Sequence, residues 1–150
     1  MTLHAHLDPG LDIGAGPHGR RTISNVTGGS FEGERLRGIV LPGGGDWFLI
    51  DADGVGYLDV RIVLETVEGA HIYVQYHGVG VMNEKSKMAL ETGGGTEYGD
   101  TYFMTQLRFE TGDARFRWLN RVLAVAEGRL RPGGVEYRVF ELVNVGNPAP

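Results

Sequence analysis

The chain has 150 residues with 14 Lys and Arg against 19 Asp and Glu, a net charge of −5, no cysteine, and Gly at 25 positions. That acidic balance, with no basic run longer than two residues, argues against nucleic acid as a partner, and the missing cysteine excludes disulfides, thiolate metal sites and thiol catalysis. No apolar run approaches the roughly 20 residues of a membrane-spanning helix, and the first residues lack the basic start and apolar core of a signal peptide, so a cytoplasmic protein is expected.

Taken in chain order, residues 1–9 read as a tail. His4 and His6 could chelate a metal from one strand face, but a terminal position speaks against it, so no metal is expected. Strands are predicted at 10–14, 20–27, 35–41 and 47–51, separated by Gly16-Pro17, Gly28-Gly29 and Pro42-Gly-Gly-Gly45. The last cluster is no phosphate loop. It lacks the Lys-Ser/Thr and runs into the strand-like Trp47-Phe-Leu-Ile50 rather than a helix. Asp46 and Trp47 stand where this tight loop enters its strand.

Residues 56–66 and 70–79 form the most informative segment. Leu58, Val60, Ile62 and Leu64 alternate with Asp59, Arg61 and Glu65, and Ile72, Val74 and Tyr76 alternate with His71, Tyr73, Gln75 and His77. A three-residue loop, Val67-Glu68-Gly69, with Gly69 left-handed, pairs 65 with 71 and keeps the two faces separate. That register sets Asp59 opposite His77 and Arg61 opposite Gln75. His71 and His77 lie roughly 20 Å apart along the strand and cannot share an ion.

Further strands are predicted at 82–90, 101–110, 121–130 and 135–143. The polar stretch 83–100 reads as loop-like, a candidate flap, and residues 113–121 are the best helical segment, crossing a barrel end. Residues 144–150 read as a second tail. Short strands at even spacing with Gly-rich turns predict one all-β domain, a sandwich or barrel. No Gly-x-Ser-x-Gly surrounds Ser24, Ser30 or Ser86, so a serine triad is set aside.

The ordered set Gly19-x-Arg21, Gly28-Gly-Ser-Phe31-Glu-Gly33, Gly38 through Asp46-Trp47, Leu58-Asp59-Val-Arg61, Glu68-Gly69-Ala-His-Ile72-Tyr73, Tyr102-Phe103, Phe109-Glu-Thr111 and Trp118-Leu119-Asn120-Arg121 resembles the family catalogued as domain of unknown function 3237. The resemblance implies a single closed antiparallel β-barrel of about 8–10 strands with at most one short helix, similar to allene oxide cyclase and dirigent-type barrels or a calycin. It implies a site within the lumen, with Asp59 and Arg61 pointing inward. The apolar face would then point outward and need a covering subunit, a dimer or trimer.

The expected function is acid–base isomerisation, cyclisation or lyase chemistry, without a cofactor, on a small, partly apolar, oxygenated molecule. Asp46 or Asp59 would be the base, and Tyr73, Tyr102 or His77 the acid. Arg21 or Arg61 would hold the oxyanion, and Trp47, Trp118 and Asn120 would line the pocket. The alternatives are a lipocalin-like binding protein without turnover and a structural protein with a packed lumen.

Overall fold

A computed structural model describes residues 1–146. Ten strands are present: β1 (Thr2–Leu7), β2 (Leu11–Gly16), β3 (Gly19–Glu32), β4 (Arg37–Val40), β5 (Gly45–Ile50), β6 (Val55–Thr66), β7 (His71–Val81), β8 (Phe103–Glu110), β9 (Leu123–Arg131) and β10 (Gly134–Glu141). A helix, α1 (Glu84–Thr92), and a 3₁₀ helix (Ala114–Arg121) complete the elements of the described residues. All pairings are antiparallel, and β1 bonds to both β10 and β3, closing the sheet into an eight-strand barrel. The short strands β4 and β5 lie end to end in one position, both bridging β3 to β6. β2 lies outside the ring and pairs with the first half of β3. No described helix is long and apolar enough to cross a membrane.

The β6–β7 hairpin has the expected register, Glu65 with His71 and Asp59 with His77, and Gly69 takes φ 79°. Its loop is closed by Gly69 N–H donating to Thr66 O at 2.8 Å. The orientation of its faces is the reverse of the expectation. Leu64, Ile72 and Val74 are 0% exposed, and Leu58, Val60, Ile62 and Tyr76 are buried with them. These side chains, with Leu3, Phe31, Leu107, Ala126, Tyr137 and Val139, fill the barrel. Asp59 and Arg61 therefore point outward, and the apolar side chains of the hairpin, already covered, need no second subunit over them. The physical reason is burial. Each aliphatic side chain removed from water contributes about 1.5–3 kcal/mol, whereas an ion pair taken into the lumen costs several kcal/mol per charge.

Two local readings are also corrected. The segment expected as an N-terminal tail is strand β1, because Leu3 and Ala5 are apolar at inward positions and seal the barrel. Its neighbour Gly29 makes this possible, since a Cβ there would stand 2.0 Å from His4 O and its φ is 142°. The strand expected at 82–90 is helix α1. Asn83 caps it in a reciprocal box with Ser86, and Gly93 ends it in the left-handed conformation. The run Glu84-Lys-Ser-Lys-Met-Ala-Leu-Glu91 has strong helix formers and no β-branched residue. The rest of the stretch 83–100 is tied down, with Thr96 N–H bonded to Leu130 O at 3.0 Å and Tyr98 OH to Glu136 at 3.1 Å. The described residues thus hold one more helix than expected. The tail expected at 144–150 lies mostly outside the described residues.

Candidate functional site

Because the lumen is packed, concave space is found elsewhere. One such space is a groove of about 710 Å³ on the outer wall, across β3, β5, β6, β7, β8 and β9. Cross-strand pairing builds it. Ile23 pairs with Trp47, Asp59 with His77, and His77 with Gln106, so outward side chains of successive strands line up in rows. Arg21, Trp47, Asp59, His77 and Tyr102 all line it, and Arg61 stands beside it. Leu49, Val79, Met104 and Val125 form an apolar floor.

Asp59 is the centre of the polar part. Its Oδ1 is shielded from solvent and, among the described residues, has no hydrogen-bond donor in good geometry. Two nitrogen groups stand close, Arg61 Nη1 at 3.1 Å and His77 Nδ1 at 3.6 Å. The Arg61 guanidinium also lies 5.1 Å from the Trp47 ring centroid, a cation–π distance. Arg21 donates to the Trp47 carbonyl, which braces the β3–β5 wall. Tyr57 lines the same groove, with its hydroxyl donating to Asp51 at 3.0 Å. The arrangement sets a carboxylate and an imidazole side by side at an apolar wall with a guanidinium in reach. Such a set can move a proton and answer a developing negative charge.

Asp46 occupies the opposite face of the sheet. It is 8% exposed, and its Oδ1 accepts the backbone N–H of Asp59 at 3.2 Å. Burial pushes its carboxyl up to about 6, and the Asp59 charge adds to the rise, while the Asp59 N–H and Arg21 oppose it. Deeper in the lumen the rings of Tyr76 and Tyr137 meet edge to face, with centroids 5.4 Å apart. Burial raises both phenols.

The remaining expected residues lie apart. Tyr73 faces outward four residues along β7 from His77, about 13 Å away at 3.3 Å per residue. Trp118 and Asn120 belong to the 3₁₀ helix at the other barrel end. Asn120 is committed to Thr111, accepting its N–H at 2.8 Å and donating to its carbonyl at 2.9 Å. It is a clamp between the helix and the end of β8 rather than a pocket residue. Among the lining residues that escape the sequence reading are Tyr57, Met104, Gln106 and Val125. Tyr57 shares the alternation of Asp59 and could have been found, but the β8 residues need the β7–β8 register, which no turn in the sequence reveals. His4 and His6 do share an outer face with rings 4.6 Å apart, yet no group of three or more metal-ligating side chains exists among the described residues.

The sequence model of the family described as "Protein of unknown function (DUF3237)" matches residues 1–142. A UPF0311 protein of Rhodopseudomonas palustris is 32% identical over 125 residues, covering 83% of this chain and 82% of that protein. The crystal structure of the R. palustris protein RPA1785, described as a conserved protein of unknown function, superposes with a TM-score of 0.86 at 29% identity, over 95% of this chain and 93% of the other. PR-toxin biosynthesis cluster protein 7 of Penicillium roqueforti is 28% identical over 138 residues, covering 78% and 73%. A structure described as an enzyme from Penicillium herquei shares the fold, with a TM-score of 0.65 at 16% identity over 93% and 90%.

Proposed function

From the premise that the chain belongs to the DUF3237 family, we propose that it performs acid–base chemistry on a small, partly apolar, oxygenated metabolite held in the outer groove. The observation that carries this reading is the Asp59 carboxylate. A shielded oxygen without a hydrogen-bond donor among the described residues stands 3.6 Å from His77 Nδ1 at the edge of an apolar wall. Asp59 orients the imidazole and stabilises its protonated form. His77 Nε2 then takes a proton from carbon or hydroxyl next to a carbonyl, the Tyr102 hydroxyl delivers one, and solvent in the open groove carries the proton from His77 back to Tyr102. Arg21 answers the charge that develops on the substrate oxygen. Asp46 acts from behind the sheet as a positioning residue, through its bond to the Asp59 backbone. Isomerisation, cyclisation and elimination all begin with this proton transfer, and no cofactor takes part in it. The names of the two Penicillium proteins, one from a toxin biosynthesis cluster and one called an enzyme, agree with metabolite chemistry.

A simple enolisable ketone tests the proton transfer whatever the natural substrate is. The ketone 2-tetralone in D₂O exchanges its α-hydrogens when a base enolises it, and NMR follows the rate. The wild-type chain is expected to accelerate exchange, with Asp59→Asn and His77→Gln each lowering it about 10²-fold or more. Equal rates in folded wild type and both variants would refute the site. A second reading, binding without turnover, is favoured by the apolar floor of Leu49, Val79, Met104 and Val125. It predicts saturable binding of tetralone with exchange no faster than in buffer.

A further inference from the structure

At the barrel end opposite α1, a second cavity of about 440 Å³ opens between the 3₁₀ helix, the β3–β4 turn and the ends of β9 and β10. Its inner wall is made of inward-facing core residues, Phe109, Leu119, Ala124 and Val139. Ala124 contributes only a methyl group to this wall. Here inward-facing core side chains are reached from outside through a cavity of ligand size, within the roughly 300–1,000 Å³ of small-molecule sites.

Three polar or aromatic side chains guard the entry. The Arg35 guanidinium pairs with Glu141 Oε2 and lies 3.9 Å from the Trp118 ring centroid. Glu141 Oε1 is shielded from solvent and receives no hydrogen bond from any described residue. A shielded carboxylate oxygen left without a donor is costly, and a bound group that donates to it recovers that cost. The charge is already balanced, because Arg35 neutralises Glu141. An anionic ligand would meet the carboxylate, and a cationic one would compete with Arg35 for it. A neutral donor suits both groups.

We propose that this cavity is a ligand site for a neutral, mostly apolar molecule with one hydroxyl, a phenol or aryl alcohol, whose O–H donates to Glu141 Oε1 while its ring packs on Leu119, Val139 and Trp118. The site is separate from the outer groove and does not depend on proton transfer there.

The two tryptophans make the test site-specific, because Trp47 reports the groove and Trp118 the cavity. Bromine quenches indole fluorescence on contact, so 4-bromophenol serves as the probe and 4-bromoanisole, which cannot donate, as its control. In the Trp47→Phe protein, 4-bromophenol is expected to quench Trp118 saturably. Replacing it by 4-bromoanisole, or replacing Glu141 by Leu, is expected to weaken binding about tenfold or more. Ala124→Leu, which fills the cavity, is expected to abolish saturation. Glu141→Leu alters a rim position, so it keeps the test open if Ala124→Leu does not fold. Non-saturating quenching of Trp118, equal affinity for the two probes, or saturable quenching only of Trp47 in the Trp118→Phe protein would overturn the proposal. Failure of tetralone exchange in the groove would leave these outcomes untouched.

Discussion

Replacing Asp46 by Asn tests the electrostatic account of the sheet behind the groove. The Asp46 carboxyl rises from an ordinary 3.8 to about 6, chiefly through burial. Below 3.8 the group carries its proton in both the folded and the unfolded chain. Between 3.8 and about 6 the folded chain keeps a proton that the unfolded chain releases, so stability falls as pH rises. Above about 6 the loss is complete. A difference of about two pH units at 1.36 kcal/mol each makes the loss about 3 kcal/mol. Asn has the same shape, carries no charge, and its Oδ1 can still accept the Asp59 N–H. The stability difference between Asp46→Asn and wild type should therefore shift by about 3 kcal/mol in favour of the variant from about pH 3 to about pH 8. Urea unfolding followed by tryptophan fluorescence at a series of pH values measures it. Titrating groups that do not interact with Asp46, including Asp113, held down to about 2 by Arg115, cancel in the difference. A difference that stays flat across that window, or moves against the variant, would refute the assignment of Asp46 as a buried and desolvated carboxyl.

Three further outcomes follow from the packing. Leu64→Ala should cost about 2–5 kcal/mol in chemical unfolding, because Leu64 is wholly buried in the barrel. A loss below about 1 kcal/mol would mean the interior relaxes around the gap. Gly29→Ala should free β1, since the new Cβ would stand 2.0 Å from His4 O, and fast amide exchange at Leu3 and Ala5 would report it. Asn120→Ala should lower stability by about 1–3 kcal/mol through the two orphaned Thr111 groups. It should leave tetralone binding in the groove unchanged, and loss of binding would return Asn120 to a ligand role.

Much of the wall was legible in the sequence. The alternation over 57–77 and the left-handed glycine at 69 determined which side chains stand opposite each other, because a strand has period two and a three-residue loop admits one register without mixing the faces. Arg21, Trp47, Asp59, His77 and Tyr102, chosen for their chemistry, do share one groove. The residues contributed by β8 and β9 were out of reach, since Met104 and Val125 join the groove through pairings formed across long stretches of chain. Helix α1 was hidden in a polar stretch whose capping box at Asn83 and Ser86 is a signal that strand spacing obscured.

What alternation alone could not decide was which face turns inward. The seven apolar side chains of β6 and β7 meet those of Leu3, Leu107, Tyr137 and Val139 only when the barrel closes. Closure makes the inside a place where apolar area is removed from water and where an Asp–Arg pair would be stripped of it. The sequence therefore determined two faces and their register, and tertiary closure placed Asp59, Arg61 and His77 on the outer wall, with only Asp46 held inside behind them.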